Sequence, residues 1–324
     1  MKKWLLVVAA AVAVFALAAM IGFFVKFPTV GSASDVQVES TPGRLERGRY
    51  LAHHVALCLD CHSQRNFSRF AGPIVPGTEG SGGEVFDHSV DVPGRIVAPN
   101  ITPAVLGSWT DGEIIRAITE GVSRDGTALF PVMPYYSYRF LTREDLFSLV
   151  AYLRTLPPIV KSHPPRKLDF PVNLLVRTLP RPASPAPLPN PGDLVDYGRY
   201  LATVAACAEC HTPFVNGAPD ETRLYTGGRF FPYSWGVVAS PNLTPDPETG
   251  LGHWTEEQFV TRFKMYDNED GRNLDPEEVG FNTMMPWTLY AGMEERDLKA
   301  IYAFLKTLPP VTAAYPAPGT PSSR

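Results

Sequence analysis

Two five-residue strings constrain this chain more than anything else in it: Cys58-Leu-Asp-Cys61-His62 and Cys207-Ala-Glu-Cys210-His211. Two thiols three positions apart with a histidine directly after them are the pattern that holds a c-type haem. The thiols bond to the haem vinyl groups, and the histidine becomes an iron ligand. These strings use all four cysteines of the chain, so none is left for a disulfide, a zinc site or a nucleophile. Chance matches and a pair of thioredoxin-like dithiols are the competing readings. Recurrence of both the spacing and the following histidine argues against them. The sequence therefore predicts two covalently attached haem c groups, one on Cys58, Cys61 and His62, the other on Cys207, Cys210 and His211.

The surroundings of the strings repeat as well. Gly-Arg-Tyr-Leu-Ala stands at 48–52 and again at 198–202. Pro-Asn-Ile-Thr-Pro (99–103) matches Pro-Asn-Leu-Thr-Pro (241–245), and Leu-Gly-Ser-Trp-Thr (106–110) matches Leu-Gly-His-Trp-Thr (251–255). Met133-Pro134 matches Met285-Pro286, and Leu-Arg-Thr-Leu-Pro-Pro (153–158) matches Leu-Lys-Thr-Leu-Pro-Pro (305–310). A period near 150 residues is the size of a domain, far longer than a solenoid unit. A tandem duplication follows, with domains at 43–158 and 193–311.

Eleven of the 33 prolines fall between Pro157 and Pro191. That density precludes a regular helix and predicts an extended linker over 159–192, part of it packed on a domain through Leu168–Leu179. A short linker (28–42) and a tail (312–324) complete the division. At the N-terminus, Lys2 and Lys3 precede 22 uncharged residues, Trp4 to Val25, and then Lys26. As a helix this run is about 33 Å long, enough to cross a bilayer core. Residues 1–27 are read as an uncleaved transmembrane anchor. A signal peptide cut after Ala16-Leu17-Ala18 is the alternative, and it would leave the apolar stub Met20–Phe27. Either way the remainder is exported, in keeping with haem attachment outside the bacterial cytoplasm. The expected location is the bacterial inner membrane, with the haem domains in the periplasm. The net charge of −4 offers no basic excess for nucleic acid.

Each repeat reads as mostly helical. Thr110-Asp-Gly-Glu113 and Thr255-Glu-Glu-Gln258 are capping boxes that start helices, the first of these ending near Gly121. Final helices carry apolar residues at helical spacing and stop at Pro-Pro. The Gly- and Pro-rich segments 72–83 and 213–236 read as loops around the haem. A sixth iron ligand is needed unless the site is open for chemistry. Met133 lies 71 residues after His62 and Met285 lies 74 after His211, each before a proline and ahead of the final helix. These are the expected axial methionines, with Met284 a rival that the Met-Pro match rejects. Trp109 and Trp254 either reach a haem propionate through the indole N–H or fill core. Asn100 and Asn242 either orient a propionate or form a turn. Arg49 and Arg199 pair with propionates or are solvated. His53, His54, His88, His163 and His253 have no repeat partners and read as surface or satisfied core. The acidic stretch 267–278 fails the EF-hand pattern. It is a solvated loop or a patch for a basic partner.

The ordered set from Gly-Arg-Tyr-Leu-Ala to Leu-x-Thr-Leu-Pro-Pro, over about residues 43–310, resembles the multihaem cytochrome c subunits of membrane-bound periplasmic alcohol and sugar-acid dehydrogenases. The resemblance implies His62/Met133 and His211/Met285 as axial pairs. It implies a mainly α protein of two tandem cytochrome c-like domains, each wrapping one covalently bound haem, behind an N-terminal transmembrane helix. It also implies an electron-transfer rather than catalytic role, between a periplasmic dehydrogenase or other redox protein and the respiratory chain. Those subunits commonly carry three haem motifs, where this chain has two, and their anchor often lies at the other end. A dihaem cytochrome c peroxidase and the cytochrome arm of a terminal oxidase are the alternatives. The peroxidase needs an open iron, which the paired Met-Pro elements disfavour.

Overall fold

The computed structural model describes residues 2–190, 192–215, 217–233 and 236–315. Residues 316–324 of the expected tail lie outside the described residues, as does Pro191 of the linker. The chain is mostly helical. Helix α1 (Lys2–Lys26) is the one helix among the described residues long and apolar enough to cross a membrane, and none of it is buried.

The two halves repeat one order of elements. The first contains α2 (Pro42–Tyr50), which runs into a π-helical turn Leu51–Val55, then α3 (Asp111–Glu120) and α4 (Arg143–Leu153). The second contains α5 (Leu194–Val204), α6 (Glu256–Lys264) and α7 (Glu295–Leu305). Both expected capping boxes are present, and Gly121 caps α3 in the left-handed conformation. Helices α4 and α7 end just ahead of their Pro-Pro pairs, as expected.

In each half the first and last helices pack together, α2 on α4 and α5 on α7. A matched glycine sets how closely they approach. A Cβ on Gly48 would stand 1.9 Å from the Ser148 carbonyl oxygen, and one on Gly198 would stand 1.8 Å from that of Ala300. Neither backbone can give way without separating the helices. Gly48→Ala and Gly198→Ala should each destabilise the full chain by about 3 kcal/mol, at the upper end for overpacking. Gly43, on the open side of α2 with nothing within 4 Å of such a Cβ, supplies the control. There alanine should be neutral or stabilise by up to ~1 kcal/mol. Thermal melts of the three variants decide this, and equal melting points would refute the close-approach argument.

The halves do not hang apart on a flexible link. One apolar cluster spans both, from Leu51, Val55 and Leu149 to Leu201, Leu298 and Phe304. Matched residues exchange hydrogen bonds across it. Tyr50 Oη donates to Asp297 at 2.7 Å, and Tyr200 Oη donates to Asp145 at 2.5 Å. Burial, with these carboxylates, pushes both phenols well above the ordinary tyrosine range, so they remain donors. Arg47 completes the set with two bonds to Asp145, at 2.8 and 2.9 Å.

The acidic stretch adds a second seam. Its carboxylates at 267, 269, 270, 277 and 278 are exposed, but Leu274 within it and Tyr266 and Phe281 at its two ends pack with Phe70 and Ala71 of the first half. Phe70 is fully buried, stacked on Tyr266 at 5.6 Å and edge-on to Phe281 at 5.5 Å. Phe70 N–H donates to the Leu274 carbonyl, and Asn282 bonds both Ala71 N–H and the Phe67 carbonyl. The stretch is therefore an interdomain clasp with a solvated charged rim.

The Pro-rich segment is a strap. Strands β1 (Val85–Asp87) and β2 (Gly94–Val97) pair antiparallel, and the segment adds β3 (Lys167–Leu168) against Gly94 and Arg95. Further on, Ser184 N–H and Ala186 N–H bond the Arg139 and Phe140 carbonyls. In the second half, β4 (Phe214–Val215) pairs with β5 (Ala218–Pro219), and β6 (Phe230–Tyr233) with β7 (Gly236–Ala239).

Candidate haem centres

Both Cys-x-x-Cys-His strings fold into the same object. A residue in the left-handed conformation turns the chain, Leu57 at φ 51° or Ala206 at φ 53°. Such a conformation is costly for a side chain with a Cβ, and it recurs here at matched positions. One helical turn follows, Cys58–Cys61 or Cys207–Cys210. Residues three apart share a helix face, so the two thiols of each pair project together.

The histidines are oriented by main-chain carbonyls. His62 Nδ1 lies 2.8 Å from the Pro99 carbonyl oxygen, and His211 Nδ1 lies 2.9 Å from that of Pro241. A carbonyl can only accept, so Nδ1 carries the proton and Nε2 presents its lone pair, the tautomer an iron ligand needs. Burial holds both imidazoles below the ordinary histidine range, which keeps them neutral. The histidine carbonyls are held too, by Gly82 N–H at 2.8 Å and Gly227 N–H at 2.9 Å. Pro99 and Pro241 are thus site residues that sequence reasoning missed. The repeat of Pro-Asn-x-Thr-Pro was the signal.

The four cysteines are unpaired by disulfides. Burial pushes Cys58 and Cys207 up to about 12, and Cys61 and Cys210 also upward. A dithiol redox pair works through a lowered thiol pKa, so this environment counts against the thioredoxin-like reading. The paired thiols, the tautomer of the adjacent imidazole and the surrounding apolar side chains all fit a covalently held haem.

The remaining candidates separate clearly. Met133 and Met285 are half-buried against the apolar core, whereas Met284 is not packed on it. Both occupy one turn geometry. Tyr135 N–H donates to the Met133 carbonyl and Trp287 N–H to the Met285 carbonyl, each at 2.8 Å. The prolines between match as well, at φ −79°, ψ 53° and φ −81°, ψ 62°. Trp109 and Trp254 also border the core, and their carbonyls accept from Arg154 and Tyr302.

Asn100 and Asn242 take the turn role rather than the propionate role. Asn100 Oδ1 accepts from Thr102 N–H and Oγ1 at 2.8 and 2.7 Å, and its Nδ2 donates to the Ile159 and Lys161 carbonyls. Asn242 repeats this with Thr244, Val311 and Thr249. Two acceptor and two donor positions are thereby spent, leaving nothing for a propionate. These asparagines staple the segment after each final helix to the Pro-Asn turn. Arg49 and Arg199 are exposed, Arg199 beside Asp196 at 3.3 Å. Four of the unmatched histidines are held by the protein: His53 by Tyr152, His54 by the Leu289 carbonyl, His88 by Asp169 and His163 by the Ser81 carbonyl. His253 lines an open groove with Trp254 and Arg262.

The second attachment turn reaches the interdomain contact. Ser137 Oγ of the first half donates to the Glu209 carboxylate of the second at 3.1 Å. Arg65 stands 3.2 Å from buried Asp60, and Arg229 donates to the Glu209 carbonyl at 2.6 Å.

Residues 195–309 match the family model for cytochrome c. The diheme cytochrome c-type protein of Cereibacter sphaeroides is 30% identical over 265 residues, which cover 78% of this chain and 82% of that protein. The chain belongs to the multihaem cytochrome c subunit family. Family membership implies covalently bound haem c at such motifs. The cytochrome c subunit of the quinone alcohol dehydrogenase of Gluconacetobacter polyoxogenes is 27% identical over 299 residues, 87% of this chain and 59% of that subunit. The fructose dehydrogenase cytochrome subunit of Gluconobacter japonicus is 28% identical over 280 residues, 82% of this chain and 52% of that subunit. The chain thus spans little more than half the length of these two relatives. Both are named as cytochrome subunits of dehydrogenases.

Proposed function

We propose that this chain is a membrane-tethered dihaem cytochrome c, with one haem on each Cys-x-x-Cys-His turn and His62/Met133 and His211/Met285 as axial pairs. It takes electrons from a periplasmic donor, a dehydrogenase subunit, and delivers them towards the respiratory chain of the bacterial inner membrane. The duplication carries this reading. Two turns with the same left-handed residue, the same histidine-to-carbonyl bond and the same Met-Pro geometry are tied together by the Tyr50–Asp297 and Tyr200–Asp145 exchange.

Each bound haem supplies a one-electron carrier. The chain's own residues supply a fixed imidazole tautomer, a thioether ligand, an apolar surround and a constant separation between the two halves. Both irons closed in the same way suit a carrier and not a peroxidase, which needs one ligand-accessible iron. Purification from native membranes, with identification of the co-purifying subunits, tests the partner. A dehydrogenase subunit should come with the chain, and its substrate should reduce both haems. A chain that comes alone and turns over peroxide would replace the carrier with the enzyme.

A further inference from the structure

Arg177 joins the strap to the end of α1. Its guanidinium donates to the Phe27 carbonyl at 2.5 Å and lies over the Phe24 ring at 4.9 Å. The last carbonyls of a helix have no partners within it, and here a side chain of the haem-bearing body satisfies one just beyond α1. One turn before Arg177, the short helix Val172–Leu175 leads into buried Val176. On its outer side Phe170 is 79% exposed, Leu175 53% and Leu174 36%. Large apolar side chains clustered in the open call for a covering surface. Between residues 159 and 190 the strap carries five Lys or Arg against a single Asp, and that Asp169 is engaged by His88 at 2.7 Å. Lys26 adds a further positive charge at the end of α1.

We propose that Phe170, Leu174 and Leu175 dip into the anionic surface of the bilayer that α1 spans, so that the strap and the helix together fix how the haem-bearing body stands on the membrane. This rests on the membrane-tethered reading above. If α1 spans the bilayer, its C-terminal turn lies at the headgroups, and the Arg177 bond brings the apolar turn to that level. Apolar side chains ringed by Lys and Arg are the composition of an interfacial element, which buries about 5–10 Å into the headgroup boundary. Such a second attachment holds the body against the tilting that a single helix and a linker would allow.

Cysteine reactivity tests this in the full-length holoprotein, because haem occupies every native thiol. Phe170→Cys, Leu17→Cys and Glu257→Cys are each placed in nanodiscs of phosphatidylethanolamine and phosphatidylglycerol and treated with a charged maleimide. Leu17 lies within α1, and Glu257 is exposed on α6. Phe170 is 79% exposed among the described residues, so only something beyond them can hide a thiol there. The expected result is protection of Leu17→Cys, rapid labelling of Glu257→Cys, and labelling of Phe170→Cys slowed about tenfold or more relative to Glu257→Cys, as for a residue in the headgroup boundary. Protection at Leu17 with free labelling at Phe170 would overturn the dipping turn and leave the anchor standing. Free labelling at Leu17 would overturn both.

Discussion

Full-length protein carrying Cys58→Ala and Cys61→Ala together should mature with one covalent haem instead of two. The same result is expected from Cys207→Ala with Cys210→Ala. Each attachment turn is built within its own half, with its own left-handed residue and its own carbonyl for the histidine. Loss of one set of thiols therefore leaves the other attachment intact. Acid–organic extraction followed by mass measurement of the chain counts what remains bound. Two haems on the Cys58/Cys61 double variant, or fewer than two on the matured wild type, would refute the two-site reading. Stability should fall as well. An emptied haem site costs at least what an emptied aromatic site does, about 3–5 kcal/mol. Because one apolar cluster spans both halves, the loss should lower the melting temperature of the whole molecule.

Met133→Ala and Met285→Ala should each open one iron. In the wild type the ferric protein should show the weak near-infrared sulfur-to-iron band from both haems, and the ferrous protein should bind carbon monoxide poorly. Each single variant should lose about half of the band and gain about one carbon monoxide site per chain, in proportion to the two matched Met-Pro turns. The potential of the opened haem should drop by on the order of 0.1 V or more, a modest part of the ~0.8 V that axial ligation commands. Met284→Ala should change none of these, since Met285 and not Met284 packs against the core. A wild type with one high-spin, ligand-accessible iron would overturn the axial assignment and favour the peroxidase.

Chemistry that resides in short local patterns was legible in the sequence. Capping boxes and helix ends depend on neighbours within a turn or two, and the repeat gives each half a counterpart in the other. Groups whose role depends on a distant partner were left open or missed. Asn100 looked like a possible propionate ligand because nothing local reveals that Ile159 and Lys161 consume its amide hydrogens. The carbonyls of Pro99 and Pro241 were invisible because every residue has a carbonyl, and only the fold decides which one faces an imidazole. The acidic stretch read as solvent-facing because its charges are. Phe70, which arrives from the other half nearly 200 positions away in the chain, makes it a clasp.

By itself the sequence determined the two Cys-x-x-Cys-His strings, the repeat around them, the helical elements and the long apolar helix. All of these follow from residue type at fixed short spacing or from exact repetition. Only the tertiary structure decided that the halves form one body, through Tyr50 on Asp297 and Tyr200 on Asp145. It also decided that the Pro-rich segment is a strap tied to the end of α1 through Arg177. The physical reason is that a long-range hydrogen bond leaves no pattern in a single chain. Donor and acceptor are ordinary residues until folding buries them together, and burial makes their pairing obligatory.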